Sequence, residues 1–576
     1  STTITLVAVF FPIVFMEGMT GRLFREFSIV ISGSVIISSF AALTFTPMLA
    51  TKLLVKREKQ NWFYLKTEPF FEGMNRLYSR SLAVFLHKRW IALPFVAITI
   101  GIIAFLWNYI PAEMAPLEDR SQISINTRGA EGVTYEYIRD YTEDINDLVD
   151  SIVPDAESVT ARVSSGSGNV RITLKDMKDR DYTQMDVAEK LSAAVQKKTM
   201  ARSFVQQSSS FGGRRGGMPV QYVLQATNIE KLQEVLPKFM AKVYENPVFQ
   251  MADVDLKFSK PEARININRD KASIMGVSTR NIAQTLQYGL SGQRMGYFYM
   301  NGKQYEILGE INRQQRNTPA NLKSIYIRSD KGDMVQLDNL IELTGGIAPP
   351  KLYRYNRFVS ATVSAGLAEG KTIGQGLDEM DKIAKETLDD TFRTALTGDS
   401  KEYRESSSSL MFAFILAIVL IYLILAAQFE SFKDPLIIML TVPLAIAGAL
   451  VFMYFGGITM NIFSQIGIIM LIGLVAKNGI LIVEFANLKQ ETGEDKMTAI
   501  KDAALQRLRP ILMTSASTIL GLIPLAFASG EGCNQRIAMG TAVVGGMLVS
   551  TLLTMYIVPA IYSYISTNRS NKLKQE

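Results

Sequence analysis

The stretch SQIGIIMLIGLVAKNGILIVEFAN, Ser464 to Asn487, is apolar for long enough to cross a bilayer and yet holds an ammonium group near its middle. About 20 residues span the hydrocarbon at 1.5 Å rise per residue. A helix from about Asn461 to Asn487 therefore puts Lys477 near the midplane, too far from either end for easy snorkelling. Burying a cation there costs on the order of 2.5 to 3.5 kcal/mol on insertion scales, so such a residue pairs with a carboxylate or lines a water-filled path. Movement of an ion or proton is the first function to test. A misjudged register, which would lift Lys477 towards one surface, is the bland alternative. Gly467, Gly473 and Gly479 thin the same helix, so neighbouring helices can approach and keep the charge out of lipid.

The 576 residues are 48% hydrophobic and 20% charged, with a mean hydropathy of +0.13. That balance fits a multi-span membrane protein carrying a large soluble part. A single Cys and a single His exclude a disulfide framework and any Cys/His-rich metal site. The net charge of +7 matters less than its placement. Lys52, Lys56, Arg57, Lys59, Lys66, Arg76, Arg80, Lys88 and Arg89 face only Glu58, Glu68 and Glu72 in a short loop between two apolar spans, a positive-inside signature.

Eight spans are expected, at about Thr2 to Met16, Phe27 to Leu49, Trp90 to Ile110, Ser408 to Gln428, Pro435 to Phe455, Asn461 to Asn487, Pro510 to Ala528 and Ala538 to Ile565. The first is short. Alternation from a cytoplasmic Lys52-to-Arg89 loop puts Pro111 to Ser407 outside and the tail STNRSNKLKQE inside. The stretch Leu488 to Arg509, of nearly balanced charge, reads as a loop. No secretory signal precedes the first span, and residue 1 is not Met.

An internal repeat bears on that start. Pro12 and Pro47 are separated by the same interval as Pro524 and Pro559, and the offset also carries Phe15 to Phe527, Gly18 to Gly530, Gly33 to Gly545 and Ser38 to Ser550. The first two spans thus read as a second copy of the last two. The counterpart of Lys477, and of the whole Pro111-to-Ser407 region, falls before residue 1. One complete half of a duplicated transporter plus the tail of the other half is the expectation, with the halves related by an axis along the membrane normal.

From Glu68 to Lys88, Phe71, Met74, Leu77, Tyr78 and Leu82 at helical spacing against Arg76 and Arg80 read as an amphipathic helix on the cytoplasmic leaflet, or equally as a soluble helix of that pattern. Between Pro111 and Ser407 the pattern changes to short strands and amphipathic helices. Ile123 and Ile125 alternate; Ile138, Tyr141, Ile145, Leu148, Val149 and Ile152 mark a helix face. Val159, Ala161 and Val163, then Val170, Ile172 and Leu174, return to period two, and Val187, Leu191 and Val195 make a second helix face. The order repeats with a strand from Val220 to Thr227, a helix from Glu230 to Glu245 and strands through Leu256 and Ile267; Val359 to Ser364 and a helix from Thr372 to Leu388 close it. The fold class expected is a multi-span α-helical membrane protein with a large α+β domain of ferredoxin-like strand-helix-strand modules outside the membrane. An inserted module carries a hairpin, MGYFYMNGKQYEILGEI, whose Asn301-Gly302 suits a type I′ turn.

FGGRRGG, Phe211 to Gly217, is a single copy and reads as a loop between modules rather than a nucleic-acid segment. No G-x-x-x-x-G-K-[ST] is present, so no P-loop binds ATP and an ion gradient would supply the energy. Cys533 reads as a free side chain in a short outer loop, and His87 as a solvated residue at the foot of a span.

The strings AAQFESFKDPLIIMLTVPLAIAGAL, GLVAKNGILIVEFA and RLRPILMTS, with the order of spans and the large domain after the third, resemble the C-terminal half of a resistance-nodulation-division (RND) permease of the hydrophobe/amphiphile efflux type. The resemblance covers essentially the whole chain. It implies a proton-driven drug antiporter of the bacterial inner membrane, not an enzyme and without cofactor. It further implies a homotrimer or heterotrimer, membrane lipid around it, a periplasmic adaptor and an outer-membrane channel as partners, hydrophobic or amphiphilic small molecules as substrates, and no nucleic acid. A non-drug relative of the same duplicated architecture, a receptor or secretion accessory, is the alternative.

The implied organisation is residues 1–50 as the last two helices of the first repeat, 51–89 as a cytoplasmic linker, 90–110 as the first helix of the second repeat, and 111–407 as pore (porter) modules with a docking (funnel) module around 270–350. Residues 408–566 are five further helices and 567–576 a cytoplasmic tail. The resemblance assigns the proton relay to Lys477, Asn478, Arg507 and Thr514, with Lys477 pairing with two aspartates of the first half's central helix. Arg507 and Thr514 are seven apart, two turns along one face. Phe211 falls in the region of an aromatic switch loop on the substrate path.

Overall fold

The computed structural model describes residues 2–16, 18–53, 62–207, 218–349, 351–368 and 370–567. Phe211, residues 54–61 of the basic stretch and the tail from residue 568 lie outside the described residues. The chain folds as two compact units: Ser1–Arg128, Arg139–Asp255 and Arg354–Glu576 in one, Gly129–Ile138 and Leu256–Tyr353 in the other.

The larger unit opens with α1 (Thr2–Val14), α2 (Gly18–Leu53), α3 (Trp62–His87) and α4 (Ala92–Tyr109). Helix α3 packs on other helices through Tyr78, Leu82 and Leu86, which are buried, with Phe71 and Met74 half-buried beside them. Leu77, expected on that face, is 71% exposed. The face runs through Ser81 and Phe85 instead, because the packed stripe follows the i, i+4 rows beyond Tyr78.

Two passes of the chain then build the same topology. The first comprises β1 (Gln122–Arg128), α5 (Tyr135–Ile152), β2 (Ser158–Ser164), β3 (Ser167–Thr173), α6 (Gln184–Val195) and β4 (Arg202–Gln207), with strands in the order β2-β3-β1-β4, all antiparallel. Ile123, Ile125, Val170 and Ile172 on one sheet face bury against Tyr141, Ile145 and Val149 of α5 and Val187, Leu191 and Val195 of α6. That face alternates in sequence because side chains alternate across a strand. The second pass opens with β5 (Val220–Ala226), α7 (Ile229–Glu245) and β6 (Phe249–Val254).

Where the first pass makes a tight β2–β3 turn, the second inserts the smaller unit. It holds β7 (Lys260–Ile267), α8 (Arg269–Ile274), α9 (Thr279–Ser291), β8 (Gln293–Met300), β9 (Lys303–Gly309), β10 (Tyr326–Arg328), β11 (Met334–Gln336) and β12 (Ile341–Ala348). β7 pairs with β12, and β8 with β9. The β8–β9 turn has positive φ at both Asn301 (53°) and Gly302 (73°), the type I′ geometry its sequence predicts.

After β13 (Tyr353–Tyr355), β14 (Phe358–Leu367), α10 (Ile373–Thr387) and β15 (Arg393–Leu396) complete the second pass in the order β6-β14-β5-β15, again antiparallel. Strands β4 and β15 went unread in the sequence. β15 has only four residues, and RSFVQQ of β4 carries one buried side chain, Ser203, so neither shows an apolar alternation. Leu256 lies beyond β6 rather than in a strand.

Helix α11 (Gly398–Phe429) starts directly after β15, ten residues before the expected Ser408, so soluble and membrane parts share one continuous helix. α12 (Asp434–Met439) and α13 (Thr441–Phe455) break at Leu440, where Pro443 has no N–H to offer the preceding turn. α14 (Ile462–Glu491), α15 (Lys496–Ala526) and α16 (Cys533–Ile565) complete the chain. Pro510 does not start a span but lies inside α15, and the expected loop from Leu488 to Arg509 shrinks to the few residues between α14 and α15. Helices outrun the hydrocarbon because their charged ends find partners in water: Lys489 lies 2.7 Å from Glu494 and 3.6 Å from Asp502. Cys533 is free and begins α16 rather than sitting in a loop.

Among the described residues, 7 helices are long and apolar enough to cross a membrane, and α1 is a shorter apolar helix beside them. The chain is a multi-pass membrane protein with a mixed α/β soluble part.

Candidate functional site

Helix α14 is buried on nearly every side. Its three glycines each admit a different neighbour: a Cβ on Gly467 would stand 3.1 Å from Met539 O of α16, on Gly473 3.0 Å from Val9 of α1, and on Gly479 3.2 Å from Ile438 of α12. One stripe stays open. Met470, Leu474, Lys477, Leu481 and Glu484 recur every three or four residues, all partly exposed, between buried residues. Lys477 makes no hydrogen bond and no ion pair among the described residues. Its surroundings on α14 are apolar except for Asn478 behind it and Glu484 two turns along the stripe.

Asn478 is buried and points the other way. Its amide Nδ2 donates to Ser515 Oγ of α15 at 3.3 Å and to Thr551 Oγ1 of α16 at 3.4 Å, and Thr551 Oγ1 donates to Ser515 Oγ at 3.2 Å. Three helices thus meet at a polar triad immediately beside the lysine. All three side chains are buried, so such groups must satisfy one another.

The other two positions expected in a relay, Arg507 and Thr514, are not drawn into this triad. Thr514 spends its hydroxyl on Ile511 O of its own helix at 3.2 Å. Arg507 stacks its guanidinium 4.5 Å from the centre of the Phe485 ring on α14, and its Nε is buried with no hydrogen bond. The sequence therefore missed Ser515 and Thr551. Ser515 is next to Thr514 but about 100° further round the helix, and only the packing of α16 shows which hydroxyl faces inward. The internal repeat held the one usable signal: the offset that relates Pro12 to Pro524 carries Thr3 to Ser515 and Ser39 to Thr551. Thr3 and Ser39 are themselves hydrogen-bonded, Oγ to Oγ, at 2.6 Å across α1 and α2.

Comparison with known proteins decides the family. The AcrB/AcrD/AcrF family matches residues 1–566. The chain belongs to that RND permease family. Among relatives, it is 31% identical over 579 residues to an uncharacterized transporter of Haemophilus influenzae, an alignment that takes in 98% of this chain and 56% of the relative. The chain thus spans about half the length of the curated relative it matches.

In this RND permease the soluble modules also offer a polar recess. Asn126, Arg128, Arg162, Asn169 and Phe204 line a space of about 230 Å³ on the open side of the first sheet. Asn169 Nδ2 donates to Asn126 Oδ1 at 2.8 Å, and Asn126 Nδ2 to Gln206 Oε1 at 2.9 Å. Asp253 stands 3.2 Å from Arg128 and 3.5 Å from Arg202, holding those guanidinium groups at the sheet edge.

Proposed function

We propose that the chain is part of a proton-driven antiporter that exports hydrophobic or amphiphilic drugs as the inner-membrane member of a three-part envelope pump. The observation that carries this reading is Lys477: an ammonium at mid-helix on the one open stripe of α14, backed by a buried polar triad. A cation so placed needs a facing anion, and two aspartates from a helix outside this chain are the partners we assign to it. While those carboxylates are ionised the lysine pairs with them; once they are protonated the attraction falls and α14 is released. A proton can drive the cycle only through its differential affinity for the two arrangements.

In this proposal the two passes of the soluble part are ferredoxin-like porter modules in the periplasm, and the smaller unit is the docking part that meets the outer-membrane channel. An adaptor protein and two further protomers, identical or homologous, complete the assembly. The polar recess on the first sheet forms part of the substrate path, with Phe211 on the loop between modules. The gradient supplies the energy, so the reading assigns no catalytic residue and no bound cofactor.

The test is proton-coupled movement of an amphiphilic cationic dye by the full-length transporter in liposomes with an imposed pH gradient. Dye flux that follows the gradient in sign and size supports the reading. Gradient-independent flux, or none, overturns it in favour of a non-drug relative.

A further inference from the structure

The soluble module of β1 and α6 joins the membrane helices through residues Leu117 to Gln122, and two adjacent carboxylates there are seated on two different helix N-termini. Glu118, 1% exposed, accepts from the backbone N–H of Gln535 at 2.8 Å and of Asn534 at 3.3 Å, at the start of α16. Asn534 Nδ2 donates in return to Leu117 O at 2.7 Å. Asp119, 5% exposed, accepts from the backbone N–H of Gln184, the first residue of α6, at 2.8 Å, and pairs with the buried Arg180 guanidinium. Gln184 closes the clasp: its Oε1 accepts from the N–H of Arg120 at 2.9 Å and of Gln122 at 3.1 Å.

Carboxylates at helix N-termini meet unsatisfied amides and the positive end of the helix dipole, so each seat is a charge-assisted contact shielded from water. Neighbouring residues in an extended segment point to opposite sides, which is how one dipeptide grips two helices. Helix α16 is the one that carries Thr551 to Asn478, roughly 27 Å along its axis from Cys533. The second module is joined differently: α11 follows β15 directly and runs on as one continuous helix.

We propose that Glu118 and Asp119 are the transmission between α16 and the first soluble module, positioning residues that make the two move as one body when the polar triad beside Lys477 rearranges. The proposal rests on the reading of the chain as a proton-driven transporter, and its test has one arm that does not. In the full-length protein with Cys533→Ser, spin labels at Arg536→Cys on α16 and Glu189→Cys on α6 report the distance between helix and module. We expect one narrow distance distribution with Glu118 present and at least a twofold broader one in Glu118→Ala. An unchanged width in Glu118→Ala overturns the proposal.

The second arm measures dye-coupled proton flux in liposomes. Glu118→Ala should lose at least tenfold in dye transport while uncoupled proton leak stays or rises, a split that loss of fold would not produce. Glu118→Gln, which keeps one accepting oxygen, should fall between it and the parent. If dye transport and proton movement fall together in both variants at normal membrane levels, the residue is a stabilising cap and the proposal fails. Absence of coupled flux in the parent would instead remove the antiport reading and leave the distance measurement to decide the link.

Discussion

The helix pairs α1–α2 and α15–α16 are related by the internal repeat, yet the structure treats them differently. Both keep their prolines inside the helix, at Pro12 and Pro47 in one and Pro524 and Pro559 in the other. Both join their helices by one hydroxyl pair, Thr3 with Ser39 and Ser515 with Thr551. In the second pair Asn478 adds a third partner and brings the lysine-bearing helix with it. No third side chain among the described residues hydrogen-bonds to the first pair. The two outer helices differ in burial as well: 67% of the apolar window of α16 is buried and none of that of α2, whereas the inner α1 buries Val9, Phe10 and Ile13 and only 17% of the window of α15 is buried. Burial is a property of neighbours, so copies of one sequence pattern can be core in one place and surface in another.

Removing the charge beside the second pair should give the largest effect. Lys477→Met keeps the length and apolar stem, so we expect at least a 100-fold loss of proton-coupled dye flux with normal membrane insertion; near-normal flux would show that the charge has no part in coupling. Lys477→Arg should also fail, because a planar guanidinium offers a different donor geometry. Next, Asn478→Ala turns the second pair into a likeness of the first. Loss of one partner from a buried polar cluster costs roughly 1 to 3 kcal/mol, and about a tenfold loss of transport should accompany a lower unfolding temperature in detergent; equal stability would mean that the triad is packed but not bonded.

A smaller difference separates the hydroxyl pairs themselves. Thr551→Val should destabilise by about 0.6 kcal/mol, the mean for hydrogen bonds between membrane helices, and Ser39→Ala by less. Matching losses in thermal unfolding of the full-length protein would mean that the third partner adds nothing to the second pair. Thr514→Ala should be milder still, under twofold in transport, since the hydroxyl is bonded within its own helix.

The smallest expected effect lies on the side of the soluble modules, where the chain after α4 lies against the entry to α14. Glu113 N donates to Met460 O at 3.0 Å, and the Thr459 hydroxyl donates to the Glu113 carboxylate. Burial pushes the Glu113 carboxyl above the usual carboxylate range, and the Thr459 bond opposes that without cancelling it. A raised folded value favours the protonated form in the folded state, so stability is lost as pH rises from the ordinary carboxylate value through the raised one. Glu113→Gln removes that dependence. As pH rises above the ordinary carboxylate value the parent should lose unfolding temperature relative to the variant; parallel curves would count against it.

Much of the fold was legible because apolar periodicity is local. The membrane helices, the helix faces through Tyr141, Ile145 and Val149 and through Val187, Leu191 and Val195, and the Asn301-Gly302 turn each follow from a few consecutive residues. Helix ends were not, since α11, α14 and α15 run on past the apolar stretch through residues that pair in water. Nor were β4 and β15, short strands held by pairing rather than by an apolar face of their own.

For the candidate site, the sequence alone determined that a cation lies deep in an apolar helix and that three glycines thin that helix, because a charge in hydrocarbon and a missing Cβ have consequences whatever surrounds them. Which hydroxyl of Thr514 and Ser515 faces Asn478, that Thr551 joins it, and that Glu118 and Asp119 each close a different helix were decided only by tertiary structure. A side chain's direction is set by the register of its helix against its neighbours, and that register is fixed by contacts between residues tens to hundreds of positions apart.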